Sequence, residues 1–132
     1  MEAPPFEIRG LDHLLLHVRG MAEAENFYCG VLGCSVRHRM PQYAMVELEA
    51  GSSSLALVDT ADPHGSWALE GAEAGRNLDH FALATGGFDE RAMRKWLEQH
   101  QIRIEEERSD EEEHSLYVRD PSNNLVELLR RA

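Results

Sequence analysis

Two histidines and one glutamate carry the clearest chemical pattern in this sequence. Leu11-Asp12-His13-Leu14 recurs in the second half as Leu78-Asp79-His80-Phe81, and Leu16 and Leu83 follow at matching positions. Strand side chains alternate faces, so His13, Leu15 and His17 share one face, as do His80, Ala82 and Ala84. Leu125, Glu127 and Leu129 form the corresponding face of a last strand. Packing does not explain a histidine in the same register of two repeated strands together with a carboxylate among apolar neighbours. An unpaired buried carboxylate would cost about 3–5 kcal/mol, and a divalent cation removes that cost. Two imidazoles and one carboxylate suit Fe2+ and Mn2+, tolerate Zn2+, and leave about three positions open for water, substrate or oxygen. One divalent metal ion on His13, His80 and Glu127 is the expectation, its identity open among these three.

The elements that must position these residues repeat as well. Apolar alternation predicts strands over 11–18 and 78–85. A helix follows each: Ala24, Phe27, Tyr28 and Val31 recur at helical spacing before Gly33, and Met93, Trp96, Leu97 and His100 do the same after Asp89. Three further strands complete each half, at 35–40, 43–50 and 53–59, then 102–108, 114–119 and 124–130. Gly51-Ser52-Ser53 and Asp120-Pro121-Ser122-Asn123-Asn124 supply the hairpin turns. The plan is an α+β fold of two β-α-β-β-β modules, module 1 over about 8–60 and module 2 over about 77–131, joined by a linker at 61–76 within one domain. Aligned without gaps, Val46 falls against Tyr117 and Ala56 against Glu127.

Composition excludes several classes. A chain of 132 residues with 42% hydrophobic and 28% charged residues fits one folded domain, not a disordered segment. The net charge of −11 would repel nucleic-acid phosphates. No apolar run approaches a membrane span, and the opening residues lack a secretory pattern, so a cytoplasmic location is expected. Cys29 and Cys34 match neither a zinc knuckle nor a redox pair, and read as small apolar fillers.

Four segments together resemble the vicinal oxygen chelate superfamily, which holds glyoxalase I, bleomycin-resistance proteins, extradiol dioxygenases and fosfomycin-resistance thiol transferases. They are Leu11-Asp12-His13-Leu14, Phe27-Tyr28-x-x-Val31-Leu32-Gly33, Leu78-Asp79-His80-Phe81 and the run from Tyr117 through Asp120-Pro121 to Glu127. The resemblance implies a cupped, half-open barrel-like mixed sheet with helices outside and a metal at its centre. Two departures stand out: Asn123 where a glycine is usual, and Ala56 where several members carry a fourth ligand. By resemblance, the missing ligand moves the chain from glyoxalase chemistry toward dioxygenase-like or thiol-transferase-like members, which use His, His and Glu.

Around this expected centre, Tyr117 occupies a position where such members keep a tyrosine near the substrate. It is either a catalytic phenol that contacts substrate and donates a proton, or an interface tyrosine with a wet hydroxyl. His17 is either a substrate contact or a rim histidine. Arg37, His38 and Arg39 read as a solvated edge or an anion contact. Glu105 to Glu107 and Asp110 to Glu113 read as a solvated hairpin, with a second cation as the alternative.

The sequence therefore implies a metal-dependent lyase, dioxygenase or transferase acting on a small oxygen-rich organic substrate. The alternative is a metal-free protein that sequesters a drug or small molecule, as bleomycin-resistance members do. The resemblance also implies a homodimer, with modules exchanged so that His13 joins His80 and Glu127 across the interface.

Overall fold

The computed structural model describes residues 4, 5, 7, 9–70, 78–87 and 89–131. Eight strands form two open four-stranded sheets. The first holds β1 (His13–Val18), β2 (Ser35–Met40), β3 (Met45–Ala50) and β4 (Ser53–Asp59) in the order β1-β4-β3-β2. The second holds β5 (Phe81–Ala84), β6 (Ile104–Ser109), β7 (Glu113–Arg119) and β8 (Leu125–Arg131) in the order β5-β8-β7-β6. In each, the first strand runs parallel to the last and the others pair as antiparallel hairpins. The parallel pair requires a long connection, which runs in the first half through α1 (Met21–Glu25), β2 and β3 and in the second through α2 (Glu90–Gln99), β6 and β7. The fold is thus the expected α+β repeat, with β1 and β5 at sheet edges.

Alternation sets the inner faces. Leu16 pairs with Leu57, which pairs with Val46, and Phe81 pairs with Val126, which pairs with Val118. These residues join Phe27, Tyr28 and Val31 beyond α1 and Leu97 of α2 in one apolar cluster that spans both halves. Hydrogen bonds also tie the halves: the Tyr28 hydroxyl donates to Asp120 Oδ2 at 2.7 Å, Trp96 Nε1 to the Val31 carbonyl at 2.9 Å, the Arg19 amide to Ser122 Oγ at 2.8 Å, and Asn124 Nδ2 to the His17 carbonyl at 3.2 Å.

Local chemistry explains the helix ends. The Asp59 carboxylate at the end of β4 accepts from the Gly20 and Met21 amides, a cap for α1 supplied from another element. From Asn26 to Val31 the helix widens into a π turn, and Gly33 follows with φ 82°, the left-handed conformation expected of a closing glycine. The Asp89 side chain caps α2 through the Ala92 amide.

Strands 35–40 and 53–59 lie where alternation places them; others shift by a few residues. The strand expected at 43–50 begins at Met45 because Pro41–Tyr43 winds into a 3-10 turn and Ala44 takes φ 52°. The strand expected at 78–85 contracts to Phe81–Ala84, which leaves His80 on the approach to β5. Within the predicted linker, Pro63–Leu69 forms a 3-10 segment capped by Asp62. Residues 71–77 of that linker lie outside the described residues.

The gapless alignment of the modules needs one correction. Ala56 pairs with Leu15 and Glu47, whereas Glu127 pairs with Ala82 and Tyr117. Ala56 therefore does correspond to Glu127, but Glu47, not Val46, corresponds to Tyr117. The β7–β8 turn is longer by one residue, with Asn123 at φ 70°, a left-handed conformation that asparagine tolerates where glycine would be at ease.

Candidate metal centre

His80 and Glu127 come together. The Nε2 of His80 lies 3.2 Å from Glu127 Oε1, and Glu127 is only 9% exposed. The other ring nitrogen of His80, Nδ1, donates to Asp79 Oδ2 at 2.7 Å, because an ionised carboxylate only accepts. This tether orients the ring and leaves Nε2, once it has lost its proton, as the nitrogen that a metal beside Glu127 would take, the arrangement that metal-ligating histidines use. The Asp79 bond, above all, raises the His80 pKa; partial burial opposes that shift and Glu127 adds to it.

His13 repeats the device. Its Nδ1 donates to Asp12 Oδ1 at 2.8 Å, and it opens β1 on an exposed face with Leu15 and His17. It belongs to the other sheet and does not join His80 and Glu127 within the chain. Among the described residues, the one set of three ligand-type side chains with atoms within 4.8 Å of one another is Glu90, Glu107 and His114.

Tyr117 stands beside the pair. It is directly opposite Glu127 on the neighbouring strand, its ring meets the His80 ring edge-on with centroids 5.6 Å apart, and the Arg108 guanidinium lies 5.8 Å over its face. Burial first, then the hydrogen bond to Glu127, raises the phenol pKa. His17 lies on the exposed face of β1, and its carbonyl accepts from Asn124 Nδ2 at 3.2 Å. Four contributors escaped sequence reasoning. Asp12 and Asp79 were visible in the repeat but given no role. Ser115, 2% exposed, donates to Glu127 Oε2 at 2.5 Å, and nothing in a serine within an apolar strand marks it. Glu47 takes the place in module 1 that Tyr117 holds in module 2; it accepts from Ser54 Oγ at 3.0 Å and lies 3.7 Å from Arg37.

The Glu90–Glu107–His114 set is a different feature. His114 and Tyr117 lie on opposite faces of β7 by alternation. His114 Nε2 is 2.8 Å from Glu107 and 3.9 Å from Glu90, while Arg94 bonds both carboxylates. These contacts, His114 foremost, hold the Glu107 carboxyl below the usual range. The protein's own cation already balances this cluster, which clamps α2 to β6 and β7. At the tip of the acidic hairpin, Asp110 accepts from the Glu112 and Glu113 amides.

A hollow of about 460 Å³ lies between the turn after the π helix, the β3–β4 turn, β5 and α2. Ala82 and Ala84 border it, but His80, Tyr117 and Glu127 do not; it belongs to the seam between the halves. No helix among the described residues is long and apolar enough to cross a membrane.

Comparison with known proteins agrees with this architecture. The model of the Glyoxalase/Bleomycin resistance protein/Dioxygenase superfamily matches residues 10–128. Among solved structures, lactoylglutathione lyase from Agrobacterium tumefaciens is similar, with TM-score 0.71, 23% identity, and coverage of 93% of this chain and 94% of that one. Virulence protein from Salmonella typhimurium gives 0.72 and 24%, covering 96% and 100%. Fosfomycin resistance protein FosX from Mesorhizobium loti gives 0.69 and 19%, covering 96% and 95%. Among curated proteins, none matches. With the matched model covering both Asp-His repeats and the strand of Glu127, the chain belongs to the glyoxalase/bleomycin resistance protein/dioxygenase superfamily.

Proposed function

We propose that this chain is a divalent-metal-dependent enzyme acting on a small oxygen-rich organic molecule, and that its centre forms between two copies. His13 of one protomer would complete the site that His80 and Glu127 of the other begin. The observation that carries this reading is the tethered His80, whose Nε2 faces a buried carboxylate at 3.2 Å. His13 carries the same Asp tether, and both histidines sit at strands that, among the described residues, end their sheets. Edge-to-edge pairing of β1 with β5 of a second copy satisfies both edges and makes a two-fold dimer.

The donor set fits Fe2+, Mn2+ or Zn2+, which when bound supplies Lewis-acid polarisation of substrate oxygens. The chain's own residues supply the rest. Tyr117, opposite Glu127 and with its ring edge-on to His80, places a phenol beside the centre as proton donor. Glu47 places a carboxylate at the equivalent point of the other module, as proton acceptor. Ala56 is buried and offers no fourth ligand, so we favour dioxygenase-like or thiol-transferase-like chemistry over a glyoxalase reaction.

The test is metal analysis of purified protein beside His13→Ala and His80→Ala. The reading expects about one metal per chain in the wild type and little in either variant. Activity would then fall in Tyr117→Phe and Glu47→Gln with metal retained. One observation favours a metal-free sequestering protein: only two of the three ligands meet within a chain. Equal, negligible metal in wild type and both variants would end the metal reading, and stoichiometric tight binding of a small molecule without metal would support the second.

A further inference from the structure

The two oxygens of the Glu127 carboxylate have different partners. Oε1 faces His80 Nε2 at 3.2 Å, while Oε2 accepts the Ser115 hydroxyl at 2.5 Å. Ser115 reaches Glu127 diagonally: it pairs with Leu129 across the ladder, one alternation away from the Tyr117–Glu127 pair. Both side chains are buried, so water does not compete for this bond. A short hydrogen bond to an ionised acceptor in such surroundings is stronger than a neutral one and fixes the carboxylate plane.

From this geometry we infer that Ser115 is a positioning residue that makes Glu127 a one-oxygen ligand. With Oε2 engaged by the hydroxyl, Oε1 alone is presented beside His80. A carboxylate that binds through one oxygen uses one coordination position where a two-oxygen carboxylate uses two, so Ser115 keeps an additional position open for substrate. This role rests on the metal-centre reading above and adds a specific cause for how many sites the protein leaves free. Module 1 holds its own concave carboxylate in the same manner, Ser54 on Glu47, so a serine grip on a carboxylate from the adjacent strand recurs in both halves.

The experiment uses the full-length protein with Mn2+ for affinity and Co2+ for spectroscopy, in wild type, Ser115→Ala, Ser115→Cys and Ser115→Thr. Loss of the hydroxyl should weaken Mn2+ binding by about tenfold. It should also lower the intensity of the visible Co2+ absorption as Glu127 swings to two-oxygen binding and coordination rises. Ser115→Thr keeps the hydroxyl and should restore both readings; Ser115→Cys, close in size with a weak donor, should behave as Ser115→Ala while preserving packing. If the wild type takes up neither ion, the metal-centre reading fails and this role fails with it. If the wild type binds and Ser115→Ala and Ser115→Cys match its affinity and spectrum, the role of Ser115 alone is refuted. A lower melting temperature with an unchanged Co2+ spectrum refutes it too, because that is the mark of packing.

Discussion

Asp79 holds His80 by a 2.7 Å hydrogen bond at Nδ1, and that bond turns Nε2 toward Glu127. Removing it in Asp79→Asn leaves the imidazole in place but without its orienting carboxylate. Metal affinity should fall by about 10–100-fold, the usual effect of losing such a partner. Asp12→Asn should do the same from the other half, since its bond to His13 is equivalent. Competition titration against a chelator of known affinity measures both.

A centre shared between protomers makes a sharper prediction. His13→Ala and Glu127→Ala should each lose tightly bound metal. A mixed dimer has one site with both defects and one site with none. Equal co-expression should therefore recover about a quarter of the wild-type metal content, half the dimers being mixed and one site in two intact. Metal analysis of the mixed preparation measures this, and no recovery would place all three ligands within one chain or remove the site.

The outer cluster sets part of the acid sensitivity. Glu107 is held below the usual carboxylate range, with His114 as the main cause and Arg94 next. A depressed folded-state value means that stabilisation is present above the unfolded value of about 4.3 and is lost as pH falls through the folded one. Glu107→Gln should therefore flatten the decline in stability below about pH 4.3 while leaving metal uptake at neutral pH unchanged. Urea unfolding at stepped pH would show it.

The Tyr28–Asp120 bond is buried at the junction of the halves. Burial and the Asp120 charge push the Tyr28 hydroxyl well above its ordinary pKa, so it remains a donor throughout the accessible range. Tyr28→Phe should cost about 1.5–3 kcal/mol. Asp120→Ala should cost more, because Asp120 also accepts from the Ser122 and Asn124 amides. Chemical denaturation checks both.

How much of this was legible depends on the kind of signal. The repeat was readable because Asp-His appears twice after a leucine and before an apolar residue, and the strands because one face of each is apolar. The offset between Val46 and Glu47 was not, since a single extra turn residue leaves no trace in composition. Glu127 was readable as a carboxylate among leucines, whereas Ser115 is of ordinary type and matters only through a cross-strand diagonal. His80 itself falls just outside β5, because the parallel pairing with β8 starts at Phe81. The separation of His13 from the pair follows from topology: β1 pairs with β4 and β5 with β8, an arrangement that local pattern does not encode.

The apolar cluster that runs from Leu16 through Phe27 to Val126 has a thermodynamic consequence. Neither sheet closes an interior alone, so neither half has a stable isolated form to populate. Heating or denaturant should melt the whole chain in one transition, and a protease cut between residues 71 and 77 should leave the fragments associated and cooperative. Each half is, in effect, the other's solvent shield.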